Sequence, residues 1–347
     1  MTGMAGAPGA AGRQARRWLP WLVAAAILAV LVLRLPRAQL LHALAAGPSW
    51  KVALCSAAVV GAALLADVWA TIAAFAATGV RCRWRGVLPA RGATYLLGLL
   101  NFAVGQGGMG LYLHRAGVAP LRVLGTLLFL LATQVAALAA VAAAGTLPGA
   151  LAGGGSVGGG PPAGSLPLLA TVTALAAAFA VLAWRPARLS RHRILAPVFA
   201  AGGGGFLRAT AARLPHVLTM VAGLWLGLRL WGVALPLARG LVVLSVAVLV
   251  TVLPIAPSGL GTLELALVEL TSAYAPGQTG AAQRASVLAF SFVYHFFAIA
   301  AQAAVGLLCL AWLARRARRA GSGRSPADGS APECAIAPLP ALGNVSD

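Results

Sequence analysis

The chain has 347 residues, of which 60% are hydrophobic and 9% are charged, and its 26 Lys and Arg residues against 6 acids give a net charge of +20. Long apolar segments recur along the chain without strand-like alternation, which excludes both an ordinary soluble globular protein and a spanning β-barrel. The basic residues lie between apolar runs, which favours a role in membrane topology and headgroup contact over nucleic-acid binding.

The sequence predicts an all-α membrane protein, a polytopic helical bundle. Residues 1–17 are a short disordered lead, residues 18–313 form the transmembrane domain, and residues 314–347 are a disordered basic and Pro/Gly-rich tail. The first run also resembles a cleavable secretory signal, but an uncleaved anchor is preferred because many spans follow. The spans are predicted at 18–35, 50–78, 121–146, 166–184, 214–231, 236–253, 258–274 and 285–313.

About eight spanning helices result if 258–274 crosses the membrane and the interrupted segment 87–113 is re-entrant. With this topology most of the arginines fall on one side, which predicts a multi-pass protein of the cell inner (cytoplasmic) membrane with both termini in the cytosol. If 87–113 crosses instead, the charge bias weakens. The bundle is therefore expected to carry one or two broken or re-entrant segments.

The first interruption lies within 87–113, where Asn101 is followed by a glycine-rich run. Four glycines within six residues disfavour a helix interior, so a broken or re-entrant helix is expected. No Gly-Lys-Ser/Thr follows, so a nucleotide-binding P-loop is not supported. The run contains Gly105, Gly107, Gly108 and Gly110.

The second interruption is the stretch 252–270, which combines prolines, glycines and two of the six acids in an apolar context. Proline and glycine predict a helix break, and an ionisable residue at membrane depth is a hypothesis of function. In the alternative interpretation the stretch is a loop between ordinary helices, with Glu264 and Glu269 near the water interface.

Isolated polar residues within apolar runs are candidates for lining a polar pathway. Asp67 shares a helix face with Thr71 and Thr78, so it either lines a pathway or is satisfied by hydroxyls or by an arginine of a neighbouring helix. His295 and Gln302 share a face of the last span, where the histidine is either a proton relay or a packed, hydrogen-bonded residue. The four cysteines have no metal-ligand spacing and are interpreted as small apolar or tail residues, so neither a metal nor a cofactor is expected.

The second interruption resembles a motif of the lysylphosphatidylglycerol synthase transmembrane (flippase-like) family of bacterial integral membrane proteins. That motif, Pro-x-x-Pro-Gly-Gly-Leu-Gly-x-x-Glu, reads here from Pro254 to Glu264, with Ser258 in place of the first glycine. The first interruption matches the family in outline through Asn101, its glycines and the Tyr112-Leu113 pair, but it lacks the family's acid and arginine. The soluble aminoacyl-transferase domain of some members is absent from this sequence.

The resemblance implies a protein that binds or translocates a lipid or lipid-linked substrate, with no catalytic residues. Two interrupted apolar segments independently indicate a midplane binding site, where helix N-termini favour an anionic group. Partners are expected to be membrane lipids, with anionic headgroups or lipid-linked glycans as candidates, and no nucleic acid. The alternatives are a membrane-embedded transferase or accessory subunit acting on a lipid carrier, and a non-catalytic scaffold. The predicted substrate-binding residues are Asn101, Gly105, Gly107, Gly108, Pro257, Gly259, Gly261 and Glu264, with Asp67, His295 and Gln302 as polar lining.

Overall fold

A computed structural model describes residues 22, 24–33, 35–151, 192–252, 256–321 and 334–336. The described chain is almost entirely helical, with one short two-stranded ladder. The helices are α1 (Ala24–Leu33), α2 (Arg37–Ala46), α3 (Ser49–Ala77), α4 (Trp84–Leu100), α5 (Phe102–Arg115), α6 (Pro120–Leu151), α7 (Ala196–Leu230), α8 (Leu237–Val252), α9 (Thr262–Thr271) and α10 (Gly280–Gly321). The strands are β1 (Val80–Cys82) and β2 (Cys334–Ile336).

Four of the described helices are long and apolar enough to cross a membrane: Ser49–Ala77, Pro120–Thr146, Ala196–Leu230 and Gly280–Arg318. The bent pair α1 and α2, which meet at 98°, would make a fifth if it forms one span. Large apolar side chains such as Leu54, Trp69 and Leu308 point outward, as expected for helix faces in contact with lipid. These features confirm an all-α membrane protein. Long apolar helices cover the spans predicted at 50–78, 121–146 and 285–313, and that each of them crosses the membrane stays a prediction.

The helices pack as one bundle around residues that face inward. Helix α3 packs along α7, α4 packs against α10, and α6 packs against both α7 and α8. The contacts pair Asp67 with Arg213 and Ala63 with His216, so α3 and α7 run in opposite directions. This packing places the middle of α3, α4 and α7 around a common interior.

The first interruption differs from its prediction in where the helix breaks. The break falls at Asn101, whose extended backbone separates α4 from α5, whereas all four glycines lie inside α5. Two of them, Gly105 and Gly108, face α4, and their missing side chains let the two helices approach each other closely. A Cβ on Gly105 would lie 3.0 Å from the Cα of Gly98, and one on Gly108 would lie 2.8 Å from the Cγ2 of Thr94. Close packing here outweighs the low helix propensity of glycine. Helices α4 and α5 thus form an antiparallel helical hairpin.

The second interruption is a sharp turn between α8 and α9, built on two left-handed glycines, Gly259 at φ 74° and Gly261 at φ 82°. Helix α9 has only 10 residues, which span about 15 Å and cannot cross a bilayer core of about 30 Å. The prediction that 258–274 is a full crossing is therefore wrong. The predicted span 166–184 lies outside the described residues.

Helix α7 begins at Ala196, well before the predicted span at 214–231. Between the predicted spans 166–184 and 214–231, the sequence predicts a basic loop over the arginine- and glycine-rich segment 185–213. Instead, Gly202, at φ 62°, makes a kink within the helical run, so the glycines are accommodated without a loop. As a consequence Arg213 lies on the buried face of a helix, where it is 3% exposed.

The tail contains structure that the prediction of disorder from residue 314 did not include. Helix α10 continues to Gly321, and Cys334–Ile336 pairs antiparallel with Val80–Cys82. Cys82 and Cys334 form a disulfide across this ladder. The interpretation of these two cysteines as unpaired apolar or tail residues is therefore wrong, because strand pairing brings together residues that are 252 positions apart.

Candidate functional site

A cavity of about 260 Å³ lies inside the bundle, bounded by seven of the described helices and by the turn before α9. Its walls are largely apolar, with Val60, Met220 and Leu224 among them. The polar residues in its wall are Asp67, Arg91, Thr94, Tyr95, Gln106, His216, Thr251, Ser258, Tyr294, His295 and Gln302. A largely apolar cavity with a few placed polar groups is the usual form of a small-molecule site.

The two interruptions meet at this cavity. The Ser258 hydroxyl donates a 2.8 Å hydrogen bond to the carbonyl of Leu99, in the last turn of α4. That carbonyl lies among the free acceptors that every helix end leaves, so the bond satisfies a group exposed by the break at Asn101. Ser258 holds a left-handed backbone at φ 51°, which is unfavourable for a residue with a Cβ. The serine that replaces a glycine of the resembled motif thus joins the two broken segments.

One group of charged side chains in the cavity wall is centred on Asp67, which is 1% exposed. Arg91 Nε donates to its Oδ2 over 2.6 Å, and Arg213 Nη1 donates to its Oδ1 over 2.5 Å. His216 lies beside them and shares a hydrogen bond between its Nδ1 and the carbonyl of Ala63 at 3.0 Å. We call Asp67, Arg91 and Arg213 the arginine cluster. It holds two guanidinium cations against one carboxylate.

A second group lies behind the wall at the start of α9. Glu264 is fully buried; its Oε2 accepts from the Gly261 backbone N–H at 2.6 Å, and its Oε1 lies 2.6 Å from His295 Nδ1. His295 lines the cavity, whereas Glu264 is not among the described lining residues. The carboxylate therefore fixes the turn and orients the imidazole, and it reaches the cavity only through His295.

These two groups lie at opposite ends of the cavity. Helix α10 packs on α4 at Gly306. A Cβ at this position would lie 2.5 Å from Leu96 and 3.3 Å from the carbonyl oxygen of Gly92, which follows Arg91 in the sequence. His295 lies eleven residues earlier on α10, which corresponds to about 16 Å along the helix axis. The cavity thus has a cationic end at the arginine cluster and an imidazole end at His295, and the wall between them combines apolar residues with polar ones such as Thr94 and Gln302.

The chain matches no known family model, and no curated protein is significantly similar to it. The properties of the site therefore rest on its own geometry.

Of the predicted site residues, Asp67, Gly105, His295 and Gln302 line the cavity. The others have structural positions. The Asn101 side chain caps α5 by accepting from the Ala103 N–H at 2.8 Å. Gly108 packs on α4, Gly107 is exposed, and Pro257, Gly259 and Gly261 build the turn before α9. These residues and Glu264 shape the hairpin and the turn around the cavity, and their predicted role in substrate binding stays a prediction.

The prediction that an arginine of a neighbouring helix could satisfy Asp67 is confirmed twice over, by Arg91 and Arg213. Neither arginine was singled out from the sequence, because both had been attributed to membrane topology. The composition did indicate such a pairing. The sequence has few acids and many arginines, so a buried acid is expected to pair with an arginine. The sequence does not say which arginine it finds.

Proposed function

We propose that this protein binds a lipid or lipid-linked substrate in the cavity between its two interrupted segments and moves it across the membrane. The observation that carries the proposal is the meeting of the two breaks, through Ser258 and Leu99, at the wall of a largely apolar cavity with polar ends. Irregular backbone at membrane depth is tolerated where it is buried or lines a cavity. An amphiphile suits such a cavity, because it offers both apolar chain and polar head.

This function agrees with the resemblance to the lysylphosphatidylglycerol synthase transmembrane family, which we retain as a proposal on the motif from Pro254 to Glu264. In that arrangement the hairpin of α4 and α5 is a re-entrant segment, and the turn before α9 is the second broken segment. A transferase is less well supported, because the carboxylates at the cavity are already bound. Asp67 is held by two arginines, and Glu264 is held by His295 and a backbone amide.

The orientation we propose places both termini in the cytosol of the cytoplasmic membrane, and it yields a test. Bacterial cytosol keeps thiol pairs reduced, so the Cys82–Cys334 pair should be a dithiol in growing cells. Cells quenched in acid and alkylated under denaturing conditions should show four modified cysteines by intact mass. Isolated membranes treated with a mild oxidant before alkylation should show two, at Cys55 and Cys309.

The Cys334→Ser variant is the control, because it should show three modified cysteines with or without the oxidant. Two blocked thiols in quenched cells would place the tail on the oxidising side of the membrane and reverse the proposed orientation. Four modified cysteines after oxidation would contradict the strand pairing itself.

Filling the cavity should stop lipid movement. Gly98 lines the cavity, and a Cβ on it would have no heavy atom within 4 Å, so Gly98→Leu projects a side chain into free space. We expect at least a tenfold lower rate of transbilayer movement of a fluorescent phospholipid in liposomes containing the purified variant. The reason is steric, since the substituted side chain occupies volume that the substrate needs.

Gly107→Leu is the matched control on the neighbouring helix. Gly107 is exposed, its Cβ position is equally open, and it is not part of the described cavity wall. Both substitutions replace glycine by a better helix former, which should stabilise each helix by about 1 kcal/mol. The two variants therefore differ chiefly in where the leucine lies. Equal rates for wild type and Gly98→Leu, or no protein-dependent movement at all, would contradict the proposed function.

A further inference from the structure

The arginine cluster carries more positive charge than the described part of the chain neutralises. Arg91 is largely buried and Arg213 is 3% exposed, and the only carboxylate that contacts either of them among the described residues is that of Asp67. The other described acids, Glu264 and Glu269, pair with His295 and Arg284. Among the described residues, one cationic charge at this end of the cavity therefore has no counter-ion, which is strongly unfavourable for a buried charge.

The hydrogen-bond donors of the two arginines are also incompletely used. A guanidinium has five N–H donors in a fixed plane. Arg213 Nε is buried and has no hydrogen-bond partner among the described residues. Arg91 Nη1 reaches only the Gln106 Oε1, at 3.5 Å, which is the limit of a hydrogen bond. Donors buried in this way are costly unless an acceptor reaches them.

A second cavity of about 120 Å³ lies where these donors are. It is lined by both arginines together with Gln106, Gln134 and His216. Arg91, Gln106 and His216 also line the larger cavity, so the two spaces meet at the arginine cluster. The smaller cavity also has apolar wall, including Phe102 and Leu130, so the guanidinium donors face a largely apolar space.

We propose that the smaller cavity binds a phosphate group, with Arg91, Arg213 and Gln106 as donors, and that the larger cavity takes the apolar part of the same ligand. Phosphate supplies the missing negative charge and several acceptor oxygens, and arginine binds it through paired N–H donors. The proposal rests on the proposed lipid function and specifies its substrate as a phosphate-bearing anionic lipid. A free phosphate ester would satisfy the same donors, so the test separates the two sources.

The experiment compares the binding of three probes to the purified protein by thermal shift and by titration. The probes are short-chain phosphatidylglycerol, the matching uncharged diacylglycerol, and glycerol phosphate. Arg91→Met removes one cation and leaves Asp67 paired with Arg213, so the variant is expected to fold. Gln106→Leu keeps both arginines and removes one of the three proposed donors, which provides a second variant without a change of charge.

We expect phosphatidylglycerol to bind wild type at least tenfold more tightly than diacylglycerol does, and we expect Arg91→Met and Gln106→Leu each to weaken its binding at least tenfold. Arg208→Met is the control: it removes the same charge at an exposed position of α7, the helix that carries Arg213, and binding should change less than twofold. Equal binding of phosphatidylglycerol and diacylglycerol, unaffected by Arg91→Met, would overturn the phosphate site and leave the lipid function standing.

Two other outcomes are equally decisive. If glycerol phosphate binds as tightly as phosphatidylglycerol and loses affinity in Arg91→Met, the phosphate site stands while the lipid function fails. If none of the three probes binds wild type, both proposals are overturned. Gly98→Leu distinguishes the apolar part of the ligand from its phosphate. It should weaken the binding of phosphatidylglycerol and leave the binding of glycerol phosphate unchanged.

Discussion

Replacing Asp67 by asparagine is expected to cost the protein about 3–5 kcal/mol of stability, as is typical when one partner of a buried ion pair is removed. The carboxylate accepts from Arg91 over 2.6 Å and from Arg213 over 2.5 Å, and an amide cannot neutralise either cation. Two buried guanidinium groups would then lie close together without a counter-charge. The expected result is a fall in melting temperature on the order of 10 °C, measured for the purified protein in detergent.

The control is Thr71→Val, which removes the weakest contact of the same carboxylate, a 3.5 Å hydrogen bond. It should cost less than about 1 kcal/mol. The triple variant Asp67→Leu, Arg91→Met and Arg213→Met should recover most of the lost stability, because apolar residues of similar size replace buried ion clusters at little cost. A stable Asp67→Asn protein would show that the carboxylate does not stabilise the two guanidinium groups, which contradicts the ion pairing described here.

The second large effect is expected at Glu264, which ties the turn before α9 to α10. Replacement by leucine leaves the Gly261 N–H and the His295 ring without an acceptor, both of them buried. Each charge-assisted hydrogen bond of this kind contributes about 1.5–3 kcal/mol, so Glu264→Leu should cost at least about 3 kcal/mol. Glu264→Gln keeps the size and one carbonyl oxygen, and it should cost about half as much. The measurement is again the melting temperature in detergent.

Glu269→Leu provides a matched control five residues further along the same helix. Glu269 meets Arg284 at 3.6 Å, with both side chains about half exposed, so the loss should be below about 1 kcal/mol. A double-mutant cycle on Glu264 and His295 should give a coupling energy above about 1 kcal/mol. Additive effects of the two substitutions would contradict a direct bond between them.

The main helices could be predicted from the sequence because apolar length is a local property. The span predicted at 50–78 is Ser49–Ala77 in the structure, and the last predicted span lies within α10. The glycine-rich part of α5 was wrongly expected to be non-helical, because helix propensity describes an isolated helix and ignores the neighbour that close packing brings near. Likewise, 258–274 was predicted to cross the membrane because its composition is apolar. Composition does not show that the turn continues to Gly261 and leaves a helix of only 10 residues.

The candidate site could be predicted only in part. The sequence indicated two interrupted segments and a buried acid, and the structure brings all three to one cavity. The partners of Asp67 could not be predicted, because Arg91 is 24 residues away and Arg213 is 146 residues away. Pairing over such distances depends on which helices become neighbours, and no local pattern encodes that choice. For the same reason the disulfide between Cys82 and Cys334 was missed.

The central claim is that the two interrupted segments line one ligand cavity, and thiol accessibility tests it most directly. Single cysteines at Gly98 and at Ser258, in a protein lacking its four native cysteines, should both react with a water-soluble thiol reagent. Phosphatidylglycerol should protect both positions, whereas a cysteine at the exposed Gly107 should react at the same rate with or without lipid. If the first two positions do not react, or react with no protection by lipid, the two segments do not share a ligand cavity.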